Sequence, residues 1–119
     1  ADLPKKFGRM PSRSPAAEID AALEAIAAAG MVVEVNTAVW HKPCAEAYPS
    51  IGILRACRER GVETTISADA HRPEDILRDF DRAGLLLRDA GYTHVARFER
   101  RTRRSEPLEF AVPTGPRSP

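Results

Sequence analysis

An α/β fold, with parallel strands joined by crossover helices, is what this 119-residue sequence predicts. Two observations carry that expectation. Apolar residues recur at helical spacing in three segments, and after each segment a glycine is followed by a short run of strand-forming residues. The connections are short, so helix and strand alternate three times between Ser14 and Phe98. Three strands alone leave large apolar faces uncovered, whereas eight close the common (β/α) barrel. The chain therefore reads as a segment of a larger α/β barrel, about three βα units long.

Ser14 and Pro15 form a cap and first-turn pair, after which Ile19, Leu23 and Ile26 recur at helical spacing until Gly30 stops the run. Met31 to Val35, with two valines between Gly30 and Glu34 and a third after it, reads as a buried strand. Pro43 and Pro49 mark a loop from Ala38 to Tyr48. Ser50 caps a second helix, whose Ile51, Leu54 and Cys57 share a face and which Gly61 ends. Val62 to Ser67 is the second strand. Pro73, Glu74 and Asp75 open a third helix with acidic residues where the helix dipole favours them, and Ile76, Phe80, Ala83, Leu87 and Ala90 form its apolar stripe. Gly91 ends it, and His94 to Phe98 is a third strand. Residues 1–101 are thus assigned to the barrel segment and 102–119 to an extended or disordered tail rich in proline.

The composition is that of a soluble globular protein, 43% apolar and 29% charged. No apolar run is long enough to span a bilayer, and Lys5, Lys6 and Arg9 interrupt the start where a secretory signal needs a pure apolar stretch. These features point to a cytoplasmic protein with no membrane partner. Cys44 and Cys57 form no CxxC pair and read as reduced packing residues. A formal charge of +1 supplies no general drive toward nucleic acid. The cluster Arg100 to Arg104 lacks interleaved aromatics and reads as a solvated chain end.

The chemistry-bearing stretch is Thr65-Ile66-Ser67-Ala68-Asp69-Ala70-His71. Residues i and i+2 of a strand point to the same side, so Asp69 and His71 at a strand's C-terminal end aim an oxygen and a nitrogen at one ion. Carboxylate plus imidazole suits a divalent metal of the zinc, manganese or iron kind, although a catalytic zinc usually holds three protein ligands. The competing reading makes Asp69 a cap of the next helix and leaves His71 at a loop surface. In barrels the active site lies at the C-terminal ends of the strands, where Asn36 and Thr37 also fall. The loop bearing His41 and Lys42 follows Asn36 and is a candidate phosphate contact, as is Lys6, since a dianionic ligand needs fixed positive charge. The plainer alternative for the amino-terminal lysines is a solvated basic turn. Trp40 and Tyr48 read as packing anchors or pocket walls. Glu34, inside an apolar strand, needs a partner for its charge.

Taken together, Glu34-Val35-Asn36-Thr37, Lys42-Pro43, Glu46, Tyr48-Pro49-Ser50 and Ser67-Ala68-Asp69-Ala70-His71 followed by Pro73-Glu74 resemble the histidinol-phosphatase branch of the PHP (polymerase and histidinol phosphatase) family. The resemblance runs from Asp2 to about Arg101. It implies a segment of a distorted (β/α)7 barrel holding up to three metal ions, and hydrolysis of L-histidinol phosphate to L-histidinol and phosphate in histidine biosynthesis. Asp69 and His71 match the family's last metal-binding motif, with Asp69 also able to orient the attacking water. The family's earlier ligands, an N-terminal His-x-His and a glutamate among them, have no counterpart here. A further ligand histidine would fall just before Ala1. The resemblance therefore implies the C-terminal portion of the enzyme, inactive by itself and lacking an N-terminal barrel half. Two alternatives stand beside it: another PHP-type phosphoesterase, or a non-catalytic α/β module completed by a partner chain.

Overall fold

The computed structural model of the chain describes residues 12–42 and 48–109. Helix α1 (Ala16–Ala28) leads into strand β1 (Val33–Asn36), which ends in a 3-10 turn, Thr37–His41. Helix α2 (Ile51–Glu59) and strand β2 (Thr64–Ser67) follow, then a 3-10 turn at Pro73–Asp75, helix α3 (Phe80–Asp89) and strands β3 (His94–Glu99) and β4 (Thr102–Pro107). β1 and β2 pair in parallel, in register from Val33 opposite Thr64 to Asn36 opposite Ser67, with α2 as their crossover. The expected α/β organisation is present in this unit. No helix among the described residues is long and apolar enough to cross a membrane.

The glycines stop the helices by a shared device. At the end of α2, Gly61 takes a left-handed φ of 70° and donates to the Arg58 carbonyl, while Val62 donates to that of Cys57. That bond pair turns the chain sharply, and a side chain at the left-handed position would be strained. Gly30 and Gly91 end α1 and α3 with the same pair of bonds. The turns at Gly61 and Gly91 deliver Val62 and Tyr92 directly into the core, which also gathers Leu23 from α1, Val35 from β1, Leu54 and Cys57 from α2, Ala83 and Leu87 from α3, and Val95.

Cys57 and Tyr92 make this core sensitive to alkali. Burial pushes the Cys57 thiol above its ordinary 9.0, against a smaller opposing pull from Arg60. Burial likewise pushes the Tyr92 phenol above its ordinary 10.0, and its hydroxyl donates to the Val62 carbonyl at 2.8 Å. Between the unfolded and the raised folded value, the native state holds a proton that the unfolded chain has released. Stability from these groups is therefore complete below pH 9.0 and declines as pH rises through 9.0 and 10.0. Thermal unfolding should show a midpoint that falls above pH 9.0, with a smaller fall in Cys57→Ala. A midpoint that stays level to pH 10.5, roughly half a unit past the ordinary tyrosine value, would contradict this.

Four expectations need correction. The third helix does not open at Pro73: after the 3-10 turn the chain breaks at Asp79, left-handed with φ 60°, and α3 starts at Phe80. The break is held by tertiary bonds, because Thr37 Oγ1 donates to the Arg78 carbonyl at 2.8 Å and the Asp79 carboxylate meets His41. Ile76, expected in the apolar stripe, is consequently 57% exposed, and its neighbour Leu77 is 70% exposed. Ser14 does not cap α1; Pro15 occupies the cap position, and its carbonyl accepts from the Ile19 amide at 2.9 Å. Glu34 is exposed on β1, so its charge stays in water and needs no compensating partner.

The fourth correction concerns the chain after Glu99. Thr102–Pro107 is extended, as expected of the tail, but it is paired: β4 runs antiparallel to β3, from His94 opposite Pro107 to Glu99 opposite Thr102. Arg100 and Arg101 make the turn with φ of 48° and 66°, the positive values that match a two-residue hairpin to strand twist. Arg97 pairs with Glu106 at 3.0 Å, Arg104 with Glu99 at 3.6 Å and Arg103 with Glu63 at 2.8 Å. β3 lies beside β2, but its ladder is with β4, so the third strand does not extend the parallel pair. Residues 110–119 lie outside the described part of the chain.

Candidate active site at the strand ends

Parallel pairing places Asn36 directly opposite Ser67, so the residues following both strands emerge from one edge of the sheet. After β1, the Asn36 side-chain oxygen accepts from the Ala38 amide at 2.9 Å and bends the chain into the 3-10 turn. Asn36 Nδ2 donates to Glu34 at 3.4 Å, and the Asn36 amide donates to the Tyr48 carbonyl at 3.0 Å. The turn carries Thr37 and Val39 inward and leaves His41 and Lys42 exposed. Trp40 is half-buried against the core with the Arg82 guanidinium 4.3 Å from its ring centre, which makes it a packing anchor.

After β2, Ala68 is buried and Asp69 and His71 are exposed. β2 ends at Ser67, whose hydroxyl accepts from the Asp69 amide at 3.2 Å, and Asp69 adopts a left-handed φ of 47°. Strand alternation therefore does not govern the Asp69 and His71 side chains. Both lie in the irregular segment that follows β2, with His71 at a bend. Asp is among the few non-glycine residues that accept this backbone region readily.

The site residues read from the sequence thus separate into groups. Asn36 ends β1, His41 and Lys42 follow it, and Asp69 and His71 follow the C-terminal end of β2. Lys6, with Lys5 and Arg9, lies outside the described residues, as do Cys44 and Glu46. The residue that sequence reasoning passed over is Asp79, whose Oδ2 is 2.5 Å from His41 Nε2 and ties the segment after β2 to the turn after β1. Inside a segment read as a continuous helix, a charged residue at Asp79 carries no local signal of that role.

Asp69 and His71 supply donor types that suit zinc, manganese or iron, but only two of them. Among the described residues, no three His, Cys, Asp or Glu side chains gather as a metal-binding group. The donor chemistry fits a metal while the donor count falls short of a catalytic centre. A second feature borders the sheet: an apolar cavity of 610 Å³ between α1, β1 and the start of α2, lined by Ile19, Ile26, Val33, Pro49 and Ile53. Among the described residues, the outer edge of β1 is bridged at Asn36 by Tyr48.

Comparison with known proteins adds the chemical context. No protein-family model matches the chain. A protein of Deinococcus radiodurans named probable histidinol-phosphatase is 41% identical over 90 residues, covering 76% of this chain and 34% of that protein. A protein of Schizosaccharomyces pombe with the same name is 30% identical over 71 residues, 60% of this chain and 23% of that one. The chain spans about a third of the first relative's length and about a quarter of the second's. Over most of its length, then, this chain is similar in sequence to proteins named probable histidinol-phosphatase.

Proposed function

We propose that these residues form part of a histidinol-phosphatase, a metal-dependent phosphomonoesterase that releases phosphate from L-histidinol phosphate in the cytoplasm. The observation that carries the proposal is the 41% identity to the Deinococcus radiodurans protein over 76% of the chain. The placement of Asn36, His41, Lys42, Asp69 and His71 at or after the C-terminal ends of the parallel strands β1 and β2 supports it. The finer reading, a segment of a PHP barrel, is supported by the parallel β1–α2–β2 unit and by the outer edge of β1 bordering an apolar groove that further strands and helices of a barrel would cover.

In this reading Asp69 and His71 give an oxygen and a nitrogen to a metal centre whose other donors lie outside the described residues. Bound divalent ions would polarise the phosphoryl group and lower the pKa of a water. His41 and Lys42 lie on the same edge, where positive charge meets the phosphate oxygens. Asn36 holds the turn that presents them, through its bond to Ala38.

Among the described residues only Asp69 and His71 offer donors at this edge, short of a catalytic centre, so the 119-residue chain alone should release phosphate from L-histidinol phosphate no faster than Mn2+ or Zn2+ does without protein. Metal-dependent turnover by the isolated chain, abolished by chelation, would overturn the claim that further donors are required. A non-catalytic module would remain inactive even when joined to the complementary polypeptide.

A further inference from the structure

We infer that Asp79 is a positioning residue that holds the imidazole of His41 as a contact for the substrate's phosphoryl group; this rests on the phosphomonoesterase reading. His41 Nε2 and Asp79 Oδ2 are 2.5 Å apart and come from segments 38 residues apart in sequence. Close by, buried Thr37 donates to the Arg78 carbonyl at 2.8 Å, so neighbouring residues of the same two segments are tied twice. Asp79 also sits at a left-handed φ of 60°, a region that Asp accepts more readily than most residues, at the break just before α3.

The pairing decides which ring nitrogen is left for a ligand. A carboxylate accepts hydrogen bonds, so with Asp79 on Nε2 the proton of the neutral ring belongs on Nε2. No described residue engages Nδ1, and the His41 side chain is 45% exposed, within reach of a solute. Nδ1 is then the ring atom that can hydrogen-bond the phosphoryl group, while the Asp79 carboxylate fixes the ring through Nε2. Lys42, the next residue, is exposed and adds a positive group to the same edge. A tie with only a structural purpose would join the two segments equally well but would leave anion affinity indifferent to the charge on Asp79.

The test is a titration of the protein, uniformly labelled with nitrogen-15 so that histidine rings and backbone amides are both observed, by inorganic phosphate. The His41 ring signals should shift saturably. Asp79→Asn, which keeps a residue tolerant of the left-handed backbone, should weaken phosphate affinity at His41 about tenfold, the effect of one charge-assisted hydrogen bond, with amide dispersion unchanged. Equal affinity in Asp79→Asn overturns the inference, and so does a His41 ring that phosphate leaves unmoved in the wild type. If the variant unfolds, the wild type still decides: the neutral His41 ring must carry its proton on Nε2, and a proton on Nδ1 overturns the inference. Mn2+ added to the same wild-type sample tests the phosphomonoesterase reading separately. Broadening at Asp69 and His71 with an unmoved His41 discards the role of Asp79 alone. A phosphate response at His41 with no Mn2+ effect at Asp69 and His71 discards metal binding by that pair instead.

Discussion

Leu87→Ala should cost about 2–5 kcal/mol of folding stability, the range for truncating a buried leucine when its surroundings relax only in part. Leu87 is fully buried, lies on α3 and joins a core drawn from every helix and from strands β1 and β3. It also supplies the carbonyl that the Tyr92 amide bonds as the chain turns out of the helix. Small domains hold only about 5–15 kcal/mol in total, so this one change removes a large share. Leu85→Ala supplies the control, because Leu85 lies on the same helix with the same change in helix propensity but is 51% exposed. Urea unfolding should move the Leu87→Ala midpoint down by about 1–3 M while Leu85→Ala stays within a few tenths of wild type. Equal shifts in the two variants would mean that α3 does not pack through the Leu87 face.

The second large effect is on catalysis. If the proposed histidinol-phosphatase function holds, Asp69→Asn in the intact protein should lower hydrolysis of L-histidinol phosphate at least a hundredfold, since groups one shell removed from a metal already cost about 10–100-fold when lost. Asparagine is the appropriate replacement. Asp69 holds a left-handed φ of 47°, which asparagine accepts and alanine resists, so the change removes the charge without straining the turn. Asp69 is exposed and bonded through its backbone amide to Ser67, so the melting temperature should stay near wild type. Loss of activity with an unchanged melting temperature assigns Asp69 to the chemistry. Full activity would remove it from the metal site.

What the sequence made legible was local. The helix-stopping glycines, the apolar spacing of α1 and α2 and the crossover between β1 and β2 follow from residues within a few positions of one another. The features it concealed depend on partners far along the chain. The late start of α3 is set by Thr37 and His41, which hold Arg78 and Asp79 across 41 and 38 residues. Helix propensity over Pro73 to Asp79 gives no hint of them, because tertiary bonds override a weak local preference. The β3–β4 hairpin escaped notice because its turn is Arg100-Arg101, where positive φ is usually announced by asparagine and glycine. The exposure of Glu34 is not legible in the sequence because period alone does not tell which strand face meets water.

The candidate site shows the same division. Asp69 and His71 stood out by residue type at the end of an apolar run, and the paired strands put them at the same edge as Asn36 and His41. Strand alternation, the geometric reason first attached to them, fails because β2 stops at Ser67. Both instead follow the end of β2 in irregular backbone that leaves them exposed.

The most direct measurement is phosphate release by the intact protein from L-histidinol phosphate compared with a nucleoside monophosphate, with and without chelation of divalent metal. A histidinol-phosphatase hydrolyses L-histidinol phosphate faster, loses that activity on chelation and recovers it with added metal. Preference for the nucleotide would assign the site to a different phosphoesterase, and release of phosphate from neither substrate would contradict the enzymatic function altogether.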